Sequence, residues 1–449
     1  MTDSAETLNG LGNVHPPLKP RTLSDWLSFL ESLHPKAIEM DLERVDRVRA
    51  QLDLAPVFPV ITVGGTNGKG STCAMLEAIL GAAGYRTGCY TSPHLLRYNE
   101  RVRIDGREVS DEMLCGAFEA VEAARQVSKV SLTYFEFGTL AAVELFKKAG
   151  VEVAILEVGL GGRLDAVNVF NPDVAVITSI DLDHMDYLGD TREKIGCEKA
   201  GIFRSGRPAI CAERNVPSIV REYANEIGAC FLHIGEHFGY LTNEKGWSYW
   251  SEYGKRHALP YPALRGSRQL DNASACLAVL DAIKDRLPVT MGNIREGLLD
   301  VEWPARFQVL PGRPVTVLDV AHNPAAAKVL AESLFRMGRF GKTYGIFAML
   351  RDKDIEGVVR ALAGQINIWL TAGIDAPRGA STHETAGAVR EALRENGELV
   401  EEAVLTFHDP AAAYAYACER ATVNDRICVF GSFHTVAEVL RNRDMVGRG

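Results

Sequence analysis

The sequence predicts an α/β protein: a P-loop ATPase-like domain on a mostly parallel sheet, then a smaller C-terminal Rossmann-like α/β domain. Three observations carry this expectation. A buried strand, a glycine loop and an amphipathic helix follow one another over residues 59–84, "PVITVGGTNGKGSTCAMLEAILGAAG", the context a phosphate-binding loop requires. The segments "VEVAILEVG" and "PDVAVITSID" are continuously apolar, as strands buried on both faces of a parallel sheet are. A βα rhythm then starts afresh after a break at 302–314, "EWPARFQVLPGRP", which holds three prolines.

Taken in order, residues 1–21 read as a flexible N-terminal arm, lacking the basic and apolar regions of a signal peptide. Residues 22–53 read as helical, with Leu23, Trp26, Leu27, Leu30 and Leu33 at helical spacing and Thr22 or Ser24 as cap. The helix after the glycine loop places Met75, Leu76, Ile79, Leu80 and Ala83 on one face and stops at Gly84. "TGCYTS" and "RPAIC" read as strands, "TYFEFGTLAAVELFKKAG" and "DNASACLAVLDAIKDRL" as helices, and "YLTNEKGWSYWSEYG" as a hairpin. The expected domains are 22–304, which binds ATP, and 305–449, where "VTVLDVAHNPAAAKVLAESL" opens the second unit as strand, turn and helix.

Composition narrows the function. The 449 residues are 47% hydrophobic and 24% charged, as in an ordinary globular protein. A formal charge of −9 argues against a generic nucleic-acid binder, and an anionic substrate then needs a local basic cluster. No apolar run reaches the roughly 18–20 residues of a membrane span. The nine cysteines stand singly, without C-x-x-C, which points to a reducing cytosol rather than a zinc site or a disulfide framework. A monomer with small-molecule substrates, and neither nucleic-acid nor membrane partners, is expected.

Four stretches carry chemistry. In "VGGTNGKGST" (63–72) the hydroxyls come one place later than in the usual G-x-x-x-x-G-K-[ST] loop, because Gly70 separates Lys69 from Ser71. Its backbone N–H groups and Lys69 suit nucleotide phosphates; the alternative is a plain glycine turn. Glu157 ends a buried strand, where a carboxylate must be paired, bind a metal or cap a turn. Asp181, Asp183, His184 and Asp186 crowd another strand end, the side of an α/β sheet where ligands bind; Lys199, downstream on a helix, reads by itself as a solvated lysine. Asp319 and His322 in "LDVAHNP" suit a nucleotide or a capped turn before Pro324 equally well.

Together these stretches resemble the folylpolyglutamate synthase/dihydrofolate synthase family, relatives of the Mur ligases. The matching segments are "GGTNGKGS", "YTSPHL", "NERVRIDG", "TYFE", "EVGLGGRLDAVN", "ITSIDLDHMDYLGDTREKIGCEKAGI", "QLDNA", "PARFQ" and "LDVAHNP", in order over nearly the whole chain. The resemblance implies an ATP-dependent ligase that adds L-glutamate to dihydropteroate and to tetrahydrofolates through an acyl phosphate. It implies an ATP phosphate loop at Asn67, Gly68, Lys69, Gly70 and Ser71, with Asn272, Arg306 and Asp319 contacting the nucleotide and His322 near the phosphates. It further implies two Mg²⁺ ions, one held by Ser92 and Glu157 and the other by His184, and a carbamylated Lys199. On the pterin side it implies Thr133, Tyr134, Phe135, Glu136, Leu164, Asp165 and Ala166. The segment 33–45, with Ala37, Ile38 and Glu39, resembles the dihydropteroate loop of bifunctional enzymes. "DAVN" and "ARFQ" replace the family's commoner DATN and GRFQ. The alternatives are a monofunctional folylpolyglutamate synthase, a Mur-type cell-wall ligase, or a nucleotide switch without ligase activity.

Overall fold

The computed structural model describes residues 22–36, 38–243, 246–398 and 400–446. The expected N-terminal arm and Ala37 therefore lie outside the described residues.

Eight strands form the first sheet: β1 (Val60–Gly64), β2 (Thr87–Tyr90), β3 (Val102–Ile104), β4 (Arg107–Glu108), β5 (Val153–Glu157), β6 (Val174–Ile177), β7 (Pro208–Cys211) and β8 (Cys230–His233). Their order is β4-β3-β2-β5-β1-β6-β7-β8. The six from β2 to β8 are parallel, and β3 and β4 add an antiparallel edge. β1 and β5, VITVG and VAILE, are buried at every residue, which is why they read as unbroken apolar runs. β1 pairs with β5 on one side and β6 on the other. The loops leaving these three strands at their C-terminal ends therefore meet at one place.

A meander of β9 (Phe238–Asn243), β10 (Gly246–Ser251) and β11 (Gly254–Leu259) follows; the expected hairpin has a third strand. The last sheet holds β12 (Gln308–Leu310), β13 (Val315–Leu318), β14 (Thr343–Phe347), β15 (Ile368–Ala372), β16 (Val404–Phe407) and β17 (Arg426–Phe430), ordered β12-β13-β17-β14-β15-β16. Only β12 pairs antiparallel. Two apolar layers sandwich each large sheet.

Three local expectations are corrected. Residues 22–53 form two helices, Leu23–Leu33 and Glu43–Gln51, and not one. Pro35 disfavours helix at the residue before it, and His34 takes extended φ/ψ as the C-cap. The helix after the glycine loop, expected over 71–84, spans Lys69–Ala82. Helices Asp111–Ser128 and Met291–Asp300 were not anticipated. The second packs so tightly that a Cβ on Gly297 would lie 2.5 Å from Ile79 Cα.

Candidate active site

The loops after β1, β5, β6 and β13 surround a cleft of about 390 Å³. Its floor is the glycine loop. Gly65 has φ +143°, and a Cβ there would fall 2.0 Å from Thr178 Oγ1 at the end of β6. Gly68 has φ +89°, and its Cβ position is 2.9 Å from Asn272 Oδ1. Both glycines are thus required by conformation and by close approach. Asn67 is pinned by β6: its N–H donates to Ser179 Oγ (2.9 Å) and its carbonyl accepts from Thr178 Oγ1 (2.7 Å). Lys69 Nζ donates to Gly65 O (3.0 Å) and Thr66 O (3.2 Å), curling over the loop it belongs to. Gln269 and Asn272 close the side, with Gln269 Nε2 donating to Ser71 Oγ (3.4 Å) and Asn272 Nδ2 to Gln269 Oε1 (3.0 Å).

Glu157 is buried at the end of β5 and accepts from Ser92 N–H (3.0 Å). Among the described residues it has no ion-pair partner. Burial raises its pKa, and Lys69 is the largest influence opposing that. An unpaired buried carboxylate beside a phosphate loop fits a divalent cation. Among the described residues no three His, Cys, Asp or Glu side chains form a metal cage, which suits Mg²⁺, since that ion takes one or two carboxylates and fills its sphere with phosphates and water.

The cleft does not hold the expected basic cluster. Its lining has Lys69, Lys199, Arg265, Arg268, Arg306 and Lys328 against Glu157, Asp181, Asp183, Glu213, Asp271, Asp319 and Glu332. Bound cations are the chemistry that such a balanced lining requires to hold a polyanion.

Lys199 overturns the reading of a solvated lysine. It is 3% exposed, on helix Arg192–Ala200, and its Nζ makes no hydrogen bond or ion pair among the described residues. Burial, with Lys69 adding to it, pulls its pKa down to about 7. "GLGGRLD" seats its helix: a Cβ on Gly162 would lie 2.9 Å from both Glu198 O and Lys199 O.

The second unit enters from above. Asp319 accepts from Phe307 N–H (2.8 Å) and Ala321 N–H (2.7 Å), so it anchors the 305–307 turn beside the cleft. Arg306 lines the cleft with its guanidinium 5.0 Å from the Phe433 ring centre. His322 Nδ1 lies 2.8 Å from Val320 O and therefore carries a proton there, leaving Nε2 toward Asp183 at 3.7 Å. Asp186, by contrast, is exposed.

Two residues that sequence reasoning missed join the units. Asn323 caps helix Pro324–Arg336 through Ala326 N–H (2.9 Å), while its Nδ2 donates to Asn67 Oδ1 (3.1 Å) and Asp183 Oδ2 (3.1 Å). The capped turn is therefore present, and the same side chain also reaches the glycine loop and Asp183. Lys353, at the turn after β14, donates to Asp183 Oδ1 (2.6 Å) and His184 Nε2 (3.2 Å). Burial opposes Asp183 ionisation, but His322, His184 and Lys353 together hold its pKa well below the usual carboxylate range. The signal for Lys353 was a lysine just past a buried strand, in "AMLRDKD". Lys353→Met would leave the 9% exposed Asp183 side chain without its ammonium. A loss of about 3 kcal/mol is expected, measured as a lower urea midpoint at constant slope; an unchanged midpoint contradicts the pairing.

The pterin-side residues stand apart from the cleft lining. Thr133 caps helix Tyr134–Ala149 in a capping box with Glu136. Glu136 accepts from Arg44 Nη2 (2.8 Å), and Arg44 also meets Glu39 (2.9 Å). Phe135 lies under Gly159, where a Cβ would be 2.6 Å from its ring, while Tyr134 packs edge-on to Tyr98. Asp165 accepts from Leu160 N–H (2.8 Å) and Val167 N–H (3.1 Å), and burial lifts its pKa to about 7. Ala166 is buried, and Leu164 and Ile38 are half-buried.

Residues 63–280 match the Mur ligase middle domain, and 305–433 match the Mur ligase glutamate ligase domain. The Escherichia coli protein named dihydrofolate synthase/folylpolyglutamate synthase is 44% identical over 94% of this chain and 96% of its own length. This chain belongs to the dihydrofolate synthase/folylpolyglutamate synthase family. The Haemophilus influenzae member is 40% identical, with 93% of this chain and 96% of that protein covered. E. coli FolC in complex with DHPP and ADP superposes with a TM-score of 0.88 at 42% identity, covering 97% of this chain and 100% of that one. A bifunctional folylpolyglutamate synthase/dihydrofolate synthase with Mn, AMPPNP and L-glutamate bound gives 0.87 at 44% identity, covering 95% and 99%. The expected fold class holds for this family member: a mostly parallel sheet carries the glycine loop, and a second α/β unit covers it.

Proposed function

We propose that this chain is an ATP-dependent ligase that joins L-glutamate to dihydropteroate and to the glutamate tail of tetrahydrofolates, with residues 22–304 binding ATP and 305–449 closing over it. The observation that carries the reading is the meeting of Lys69, Glu157 and Lys199 from one unit with Arg306 and His322 from the other around a single cleft.

A carboxylate is a poor electrophile, so the substrate carboxylate first attacks the γ-phosphate, giving an acyl phosphate and ADP. The glutamate amine then attacks the activated carbonyl and releases phosphate. The glycine-loop N–H groups, the N-terminus of helix Lys69–Ala82 and Lys69 hold the β- and γ-phosphates, and positioning with charge stabilisation supplies most of the catalysis. Ser92 and Glu157 would hold one Mg²⁺ and His184 a second, and bound Mg²⁺ offsets the phosphate charge. His184 Nε2 lies 3.2 Å from Lys353 Nζ, so a metal there would take the place of that contact while Lys353 keeps Asp183. Lys199, with its pKa lowered to about 7, has a substantial neutral fraction near pH 7 and suits reaction with CO₂ to a carbamate, R–NH₂ + CO₂ → R–NH–COO⁻ + H⁺, which adds a negative charge on that wall. The bridges from Asn323 and Lys353 shut the cleft on one side, protecting an acyl phosphate from water. The nine free cysteines fit a reducing, cytosolic compartment, and no helix among the described residues is long and apolar enough to cross a membrane.

The test is product formation from ATP, Mg²⁺ and L-glutamate with dihydropteroate, then with tetrahydrofolate. Product from both is expected; product from one alone makes the enzyme monofunctional, and product from neither overturns the reading. Glu157→Gln keeps the shape and removes the charge. It should raise the Mg²⁺ concentration for half-maximal rate at least about tenfold; an unmoved Mg²⁺ titration would count against Glu157 as a ligand.

A further inference from the structure

We propose that Trp303 is a positioning residue: its indole, seated on the bare Cα of Gly70, fixes the segment 303–307 to the phosphate loop and so presents Arg306 to the nucleotide. The inference rests on the reading of 63–72 as an ATP site.

A Cβ on Gly70 would lie 2.8 Å from Trp303 Nε1 and 3.3 Å from Cε2. Gly70 needs no positive φ, so the indole is the neighbour that forbids a side chain there. This accounts for the extra glycine that displaces the hydroxyls from their usual place after the lysine. The indole is also held by Arg103. Arg103 Cζ lies 5.6 Å from its ring centre, and Arg103 pairs with the buried Glu77 at 3.1 Å. Trp303 itself is absent from the cleft lining, so it acts through its neighbours and not on the ligand.

The segment it anchors is strained. Ala305 (φ +57°) and Phe307 (φ +46°), on either side of Arg306, are both left-handed non-glycine residues. Each such residue costs of order 1–2 kcal/mol and persists only where surrounding contacts over-determine it. Those contacts are Ala305 N–H to Gln308 Oε1 (3.0 Å), Phe307 N–H to Asp319 Oδ2 (2.8 Å) and Val320 N–H to Ala305 O (3.1 Å). All of them tie 305–307 to the second unit. Trp303 ties the same segment to the first unit, at the phosphate loop. Arg306 sits between these two attachments, so its place over the cleft depends on both.

Binding of ADP to the full chain, measured calorimetrically, tests the contact as a double-mutant cycle. Gly70→Ala and Trp303→Ala should each weaken ADP binding roughly tenfold, and the double variant should be no weaker than either, because both remove one seating contact. Trp303→Phe should stay within about threefold, since a flat ring still fits. Likewise Trp303→Ala should add nothing to Arg306→Ala. Losses that multiply, to roughly a hundredfold in the double variant, or an unimpaired Trp303→Ala protein, overturn the proposal. Normal ADP binding by Lys69→Ala would instead overturn the underlying ATP-site reading. Thermal melts of each variant separate these outcomes from unfolding.

Discussion

Replacing Lys69 with alanine is expected to lower the rate of glutamate ligation by at least about a thousandfold, with the thermal midpoint unchanged within a few degrees. The ammonium sits at the N-terminus of helix Lys69–Ala82 and donates to two carbonyls of its own loop. No carboxylate lies within ion-pair distance of it among the described residues, so its loss breaks no ion pair and removes only the longer-range charge that favours ionised Glu157. The loop itself is held by Thr178, Ser179 and Asn272. On the proposed reading, what disappears is the cation over the β- and γ-phosphates, where charge builds in the transition state. Arginine should not substitute, because a planar guanidinium cannot curl into the turn that the compact ammonium fills. Steady-state rates on a protein of verified fold decide the matter, and near-normal turnover by Lys69→Ala would falsify the loop assignment.

Lys199→Ala should cost about a hundredfold or more in rate, with partial recovery in the presence of a short carboxylate such as acetate. The wild-type protein supplied with ¹³C-bicarbonate should show a carbamate resonance that the variant lacks. The pH dependence has a definite sign. Burial lowers the Lys199 pKa to about 7, so the neutral amine that CO₂ requires appears as pH rises through that value. A lysine in water would need pH of about 10 for the same fraction. The unfolded chain keeps this proton up to about pH 10, so between the two values it binds more protons than the folded state, and stability rises with pH across that window. Full activity of Lys199→Ala without any added carboxylate would remove the carbamate from the mechanism.

How much of this was legible depended on where each signal sat along the chain. β1, β5 and β6 were readable because strands buried on both faces must be apolar at every position. The glycine loop was readable because it stands between a buried strand and an amphipathic helix and because Gly68 is demanded locally by a positive φ. Helix Met291–Asp300 was not, because its periodicity is interrupted by Gly297, whose purpose is the backbone of a helix more than two hundred residues earlier. Lys199 looked solvated because neighbours in sequence say nothing about Gly162, which brings its helix against the 159–165 loop. The stretch "LDVAHNP" was open between a nucleotide contact and a capped turn; Asn323 makes the cap and also reaches Asn67 and Asp183 across the cleft, contacts that lie far off in sequence.

The sequence by itself determined the architecture, the family, the glycine loop and the identity of the polar groups around it, since these follow from periodicity, local conformational need and ordered motifs. The tertiary structure alone decided which of those groups are buried, what they meet and how charge balances in the cleft. Burial and Coulomb interaction depend on distance in space. The contacts that matter most, Lys353 with Asp183, Asn323 with Asn67 and Trp303 with Gly70, join residues 170, 256 and 233 positions apart.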